Sequence, residues 1–405
     1  MKIAIIDLLF SWPPHGGADV DVYYISQGLQ AAGHELCVFI PQESVGWERG
    51  KLSPESLSVP VEIVDFSDSG LTAAATVRRF RDAVDRFRPN LLFLTQGYFL
   101  KTPLIQALAG YPLFSRCYAH ETACHKDILR FKDGMPCSAS FSTDPETCRR
   151  CAISNLSVEI RSEIPNAWTR EYLAAEAWAP RYYDEFIQAM KSLEGIIITT
   201  EHMREQVTAL NDHILVIPHG VDTERFTPPQ NKRPNERPLF FCPGRMVDPA
   251  KGFHILFEAA SQLIGEGYDF EIHATLPEGY ASPTWLKPVG DLDFDAMPDA
   301  YRQADLCVVP SIWEEPFGIV ALEAMACGVP VCAARTGGLQ DIVTDKTGYL
   351  FTRGDTEALA QQLRKALDNP SFRHQAGIAA RERAVAQYDW NSIIRHYYLP
   401  LLSEY

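Results

Sequence analysis

The 405 residues exceed what one ordinary domain holds and point to two domains of about 200 residues each. A net charge of −15 lacks the basic excess of a general nucleic-acid binder and leaves room only for a local basic patch. With 46% hydrophobic and 22% charged residues, and no apolar run near the roughly 18 residues that span a bilayer, the composition is that of a globular enzyme, read here as cytoplasmic.

The chain opens on MKIAIIDLLFSWPPHGG. Its short apolar run reads as a first buried strand over 3–7 rather than a secretory leader, because no small-residue cleavage site follows promptly. Turn residues from Ser11 to Gly17 make a loop, and a helix over 19–32 ends at Gly33. Further strands are predicted over 35–40, 61–66, 91–95, 113–120, 195–200 and 214–220, with helices between several of them, such as 72–87. Strands alternating with helices argue for a parallel, doubly wound sheet.

Residues 121–184 interrupt this alternation as an insertion that carries Cys124, Cys137, Cys148 and Cys151 and a Trp/Tyr-rich helical stretch. Residues 227–238 are Pro-rich and polar and read as an interdomain linker. The alternation then restarts, with strands over 239–243, 270–274, 306–309, 331–334 and 349–352. Helices over 252–264, 297–304, 318–327, 356–367 and 371–387 separate them, and an aromatic, amphipathic helix over 389–402 closes the chain. The domains are thus 1–220, 221–388 and a terminal helix within 389–405.

Ligands of open α/β sheets bind beyond the carboxyl ends of the strands. The loops there carry a constellation. Glu315 and Glu323 lie two helical turns apart and can face one cleft, and Phe317, Gly318 and Ile319 offer free amides at a helix start, an anion seat. Arg245 supplies a planar fork and Lys251 a point charge, suited to one diphosphate. Gly16 and Gly17 permit close backbone approach to the same phosphates. A sugar carried on a diphosphate fits this set. Asp291, Asp293 and Asp295 precede a helix and read as capping rather than as a metal site.

Together, Gly244-Arg245 with Lys251-Gly252, Pro310-Ser311, Glu315-Pro316-Phe317-Gly318, Glu323-Ala324 and Gly328-Val329-Pro330 resemble family 4 of the retaining glycosyltransferases. The likeness also takes in the N-terminal glycine loop, the Ile217-to-Asp222 crossover, Gly337-Gly338 and Asp341. It implies the GT-B fold: two Rossmann-like domains facing across a cleft, with a C-terminal helix crossing back to the first. It implies a nucleoside diphosphate sugar donor, UDP-sugar favoured, and a saccharide or glycoconjugate hydroxyl as acceptor. Glu323 would take the ribose hydroxyls, and Glu315 the donor sugar. The amides near Phe317, Gly318 and Ile319 would serve sugar or phosphate, Arg245 and Lys251 the leaving diphosphate, and His120 the sugar from the first domain. His219 mainly shapes the crossover. No catalytic metal is expected.

The acceptor would be chosen by the Trp12 loop, Tyr98-Phe99 and the cysteine insertion, and the base read around Leu276 and 289–291. A GT-B phosphorylase or epimerase, or a non-catalytic carbohydrate-binding protein on the same fold, stands as the alternative. A nicotinamide dehydrogenase is disfavoured because no Gly-x-Gly-x-x-Gly follows the first strand.

Cys148 and Cys151 have knuckle spacing, and Cys124 and Cys137 complete four thiolates for a structural zinc, with His125 as a substitute ligand. Reduced free thiols are the second reading and a disulfide the third. Arg78, Arg79, Arg81, Arg86 and Arg88 make a basic helix, read as a solvated face and allowing at most peripheral membrane association. No oligomeric state is read from the sequence.

Overall fold

The computed structural model describes residues 1–43, 50–52, 57–68, 70–160, 166–231 and 235–405. Part of the expected linker, 232–234, and part of the insertion, 161–165, lie outside the described residues. Contacts divide the chain into two units. The first is Met1–Arg130, Ser138–Ile217 and Ile394–Tyr405, and the second is Phe131–Cys137 with Pro218–Ile393.

The first unit is built on β1 (Lys2–Ile6), β2 (Glu35–Gln42), β3 (Val61–Asp65), β4 (Leu91–Leu94) and β5 (Leu113–Arg116). After the small hairpin β6 (Phe131–Lys132) and β7 (Met135–Pro136), β8 (Gly195–Ile198) and β9 (Ile214–Val216) complete its sheet. The order is β3-β2-β1-β4-β5-β8-β9, all parallel. The near-continuous apolar runs of β1, β2, β4, β5 and β8 are buried on both faces, as a sheet covered by helices on each side requires, while the edge strands β3 and β9 are partly exposed.

On one face Ala4, Ile6, Phe39, Leu92 and Leu94 pack with Phe80, Ala83 and Val84 of the helix Ala73–Phe87. Thr72 caps that helix by accepting from the Ala75 amide, and Arg88 ends it in the left-handed region. On the other face the helix Gly17–Ala31 meets the C-terminal segment. A Cβ on Gly28 would come within 2.4 Å of Ile394, and Phe93 meets Tyr398 edge-on at 6.0 Å. The arginine helix is a solvated face: Arg79 pairs with Asp68, Arg81 with Asp85 and Arg86 with Glu62.

The second unit contains β10 (Leu239–Cys242), β11 (Glu271–Ala274), β12 (Leu286–Pro288), β13 (Leu306–Val309), β14 (Val331–Ala334) and β15 (Gly348–Phe351). They form one parallel sheet in the order β12-β11-β10-β13-β14-β15. Separate apolar cores cover its two faces. Both sheets reverse their strand order once, at β1/β4 and at β10/β13. Those two switch points are where an open α/β sheet leaves a crevice for ligand.

Three expectations are corrected. The strand expected over 113–120 stops at Arg116, because Arg116 turns its guanidinium onto Asp21 at 2.6 Å and onto the Ile217 carbonyl. The terminal helix is continuous over Trp390–Leu402 but changes winding, with a π-helical turn Ile394–Tyr398 between the α-helical turns Trp390–Ile393 and Leu399–Leu402. Finally, β12 was not foreseen: three residues that include a lysine and a proline carry too little pattern to be read as a strand. Among the described residues, no helix is long and apolar enough to cross a membrane.

Candidate active site

In the second unit the loops after β10 and β13 are tied together by backbone. The Ala250 carbonyl accepts from the Ile312 and Trp313 amides. Gly252 is obligatory at this contact: its φ is 72°, and a Cβ would come within 2.1 Å of the Pro310 carbonyl. The tie sets Lys251 beside Glu315, with Nζ 2.8 Å from Oε1. Ser311 donates its hydroxyl to the same oxygen at 2.6 Å, and the Lys251 ammonium lies 4.6 Å from the Trp313 ring centroid. Burial pushes the Glu315 carboxyl up, but the Lys251 charge and hydrogen bonds from Lys251, Ser311 and Trp313 outweigh it and hold the acid below its usual range. Glu315 is therefore a carboxylate, fixed in place and nearly water-free.

Behind it, the Gly338 amide donates to the Glu315 carbonyl at 2.8 Å. Gly318, at φ 109°, opens the helix Ile319–Ala326, whose first amides have no intrahelical acceptor. Glu323, on the second turn of that helix, accepts from the Tyr301 hydroxyl at 2.8 Å. Burial dominates here and raises its carboxyl to about 7, against the lowering effect of Tyr301 and Arg225. Phe317 is buried and meets the rings of His219 and Tyr388 edge-on, so its role is packing while its neighbours offer backbone. Arg245 is exposed on the loop after β10, and its side chain has no hydrogen bond or ion pair among the described residues. The loops after β11 and β12 are joined by Val289 and Gly290 amides donating to the Ala274 and Leu276 carbonyls, with Leu276 buried.

In the first unit the loop after β1 is organised by two buried carboxylates. Asp7 accepts from the Leu9 and Phe10 amides, from the Thr95 hydroxyl and from the Gln96 amide. Asp19 accepts from the Ser11, His15 and Gly16 amides and from the Gln96 side chain. Burial raises Asp19 to about 7. Gly16 is extended, with φ −165°, and a Cβ there would meet no atom of the described residues within 4 Å. What glycine provides is an open approach to the backbone where the helix Gly17–Ala31 begins. His120, on the loop after β5, is 2% exposed and its Nδ1 lies 2.9 Å from Gln206 Oε1.

Against known families, residues 16–220, about half of the chain, match the glycosyl transferase 4-like domain, and residues 287–383 match the glycosyl transferases group 1. The chain belongs to the family 4, group 1 glycosyltransferases. Its fold is GT-B. Sucrose-phosphate synthase from Thermosynechococcus elongatus superposes over 100% of both chains with a TM-score of 0.69 at 20% identity. HepE from Anabaena, solved in complex with UDP-glucose, also covers 100% of both chains, with a TM-score of 0.69 at 19% identity.

A GDP-mannose-dependent phosphatidylinositol monomannoside mannosyltransferase of Corynebacterium glutamicum is 32% identical over 43% of this chain and 52% of its own. A glycogen synthase of Mycobacterium tuberculosis is 29% identical over 57% and 56%. The chain thus spans about half the length of the curated relatives it matches.

Of the expected site residues of this glycosyltransferase-family chain, Lys251 and Glu315 are in direct contact, and Gly318, Ile319 and Glu323 share the helix that follows. Gly16, Gly17 and His120 are placed at carboxyl ends of the first sheet, after β1 and β5. Sequence reasoning missed Asp19, Gln206, Ser311 and Tyr301. Each touches a predicted residue or its loop: Asp19 and Ser311 are near neighbours in sequence of Gly16 and Glu315, whereas Tyr301 and Gln206 reach Glu323 and His120 from other elements. Within the loop expected to help choose the acceptor, Trp12 itself is 7% exposed and stacks on Tyr23 at 3.9 Å. Phe99 is likewise buried, among Tyr172, Tyr182 and His125.

Cys124, Cys148 and Cys151 belong to the first unit and Cys137 to the second, all as free thiols. Among the described residues, no three His, Cys, Asp or Glu side chains are grouped to hold a metal ion. His125, the substitute ligand of that expectation, is buried among aromatic rings. Its ring stacks on Phe141 at 3.4 Å, and burial alone lowers its pKa to about 3.

Proposed function

We propose that the protein is a retaining hexosyltransferase that moves a sugar from a nucleoside diphosphate donor, UDP-sugar favoured, to a hydroxyl of a saccharide or glycoconjugate. The observation that carries this reading is the Lys251–Glu315–Ser311 cluster at the β10/β13 switch point, with a glycine-opened helix start and Glu323 beside it. A carboxyl held below its usual range by Lys251 suits sugar hydroxyls, which donate to it. The Lys251 ammonium suits diphosphate oxygens and is already held against Glu315, so little reorganisation is needed when negative charge develops on the leaving group.

Arg245, exposed and without a side-chain partner among the described residues, serves the diphosphate. Glu323 receives ribose hydroxyls. Amides of Gly318 and Ile319 serve phosphate or sugar, and Gly16 and Gly17 offer backbone approach to the phosphates. His120 hydrogen-bonds a hydroxyl of the transferred sugar. With the diphosphate charge met by Arg245, Lys251 and helix amides, the residues supply the electrostatics themselves. By the family resemblance, the acceptor hydroxyl enters on the face the diphosphate leaves, a phosphate oxygen takes its proton, and the anomeric configuration is kept. Among the solved relatives, HepE with UDP-glucose supports a nucleotide-sugar donor.

A thermal-shift panel of nucleoside diphosphates and their sugars tests the donor, because a ligand that binds only the folded chain raises its melting point. Uridine diphosphate and one UDP-sugar should give the largest shifts. NMR of the product formed with a saccharide acceptor should then show the anomeric configuration of the donor. No shift with any nucleoside diphosphate would sink the proposal.

A further inference from the structure

Within the second unit, Glu323 is held by Tyr301. Tyr301 lies on the helix Met297–Gln303 and is buried; its ring meets Phe241 and Phe226 edge-on at 5.3 and 6.1 Å, which fixes the direction of its hydroxyl. The next residue, Arg302, donates to the Thr227 and Arg225 carbonyls and pins the helix. The Tyr301 hydroxyl donates to Glu323 Oε2 at 2.8 Å, and Glu323 is 8% exposed. A carboxylate only accepts, so a phenol that donates to it favours the ionised acid and fixes its orientation.

The elements around this carboxyl bring other groups towards it. Arg225 acts on it in the same direction as Tyr301. Cys307 of β13 and Cys327, just past the end of the helix Ile319–Ala326, are thiols pushed up by burial, and Cys332 of β14 faces Cys307. Asp299 pairs with Arg302. Arg381 of the helix Pro370–Tyr388 turns to the Ala326 carbonyl, and Asp341 of the helix Leu339–Ile342 is exposed. We propose that Tyr301 is a positioning residue for the nucleotide: its hydroxyl holds Oε2 of Glu323 and so orients the carboxylate to accept hydrogen bonds from the ribose hydroxyls. The assignment rests on the ribose role proposed above for Glu323 and uses residues of the second unit alone. It adds a consequence. Without the hydroxyl, burial meets less opposition and the acid ionises at higher pH, whereas a purely packing role for Tyr301 would weaken binding equally at every pH.

Titration calorimetry of the full chain with uridine diphosphate, measured against Glu323→Gln between about pH 6 and 9, reads this role. In the wild type the affinity should rise through about pH 7, where the carboxyl titrates. Tyr301→Phe keeps the ring but loses the donor. Its rise should move up by about one pH unit, so that affinity falls about tenfold at pH 6 and recovers by pH 9. Tyrosine 13Cζ labelling follows the contact in the wild type itself: one ring signal should titrate near pH 7 and stop doing so in Glu323→Gln. The absence of such a signal overturns the assignment, even if Tyr301→Phe does not fold. So does a Tyr301→Phe loss that is equal at every pH. If the signal titrates as expected but the wild-type affinity profile matches that of Glu323→Gln, the ribose role of Glu323 itself is refuted, and the Tyr301 contact is structural only.

Discussion

Lys251 and Glu315 stand 64 residues apart in the chain and 2.8 Å apart in space. The contact exists because Gly252 lets the Pro310 carbonyl approach where any other residue would clash. It follows that the two are one electrostatic unit. Lys251→Met would leave Glu315 buried beside Ser311 without its cation. We expect transfer to fall at least about 100-fold, and stability by about 3 kcal/mol from the stranded charge. Glu315→Gln strands an ammonium that is more exposed, so its stability loss should be smaller while transfer falls comparably. Urea unfolding midpoints alongside turnover check both; equal turnover in Lys251→Met and wild type would contradict the site.

Glu323 gives a pH signature. Its carboxyl is raised to about 7 in the folded chain, mainly by burial. A raised acid costs stability as pH climbs from its unfolded value towards its folded one, so the unliganded protein should weaken between about pH 4.5 and 7. Glu323→Gln should remove part of that slope. Asp19, raised likewise to about 7, accounts for a parallel part. Ribose hydroxyls donate and therefore prefer the carboxylate. Nucleoside diphosphate affinity should rise up to about tenfold from pH 6 to 8 in the wild type and stay flat in Glu323→Gln. Titration calorimetry across that range decides the point, and a flat wild-type profile would count against Glu323 as the ribose ligand.

Two glycines should respond in opposite ways to the same change. Gly16→Ala adds a methyl group that meets none of the described residues, in an extended backbone. The melting temperature should stay within about 1 °C, and any loss of donor binding reports a ligand against that backbone. Gly318→Ala forces a Cβ to 2.5 Å from Leu339 Cδ2 at φ 109°, and should cost about 1–3 kcal/mol before any donor is added. A large melting-point drop in Gly16→Ala would show that the glycine serves the fold after all.

Much of the fold was legible because its strands are short apolar runs punctuated by Gly, Pro and polar loops, and a parallel sheet buries such runs on both faces. All seven strands of the first sheet fall where their apolar runs predict, though 113–120 was cut short by an arginine whose partners, Asp21 and the Ile217 carbonyl, are distant in sequence. The acidic pair Glu315 and Glu323 was legible because one local motif carries both. Asp19 and Gln206 were not. Asp19 looks like an ordinary first-turn acid until its oxygens are found accepting from Ser11, His15, Gly16 and Gln96. Gln206 lies 86 residues from His120, and nothing short of the sheet register joins them.

Ile394–Tyr405 belong to the same unit as Met1–Arg130. Tyr398 covers Phe93, Tyr405 covers Phe114, and Ile394 occupies the space that Gly28 leaves open. A ribosome delivers these covers only after the whole of 218–393. The segment 218–393 can finish its own sheet while the earlier strands still wait for theirs, so the half made first is the half completed second. A nascent chain halted before Ile394 would therefore expose apolar surface on its amino-terminal half, and residues 394–405, once made, would close it.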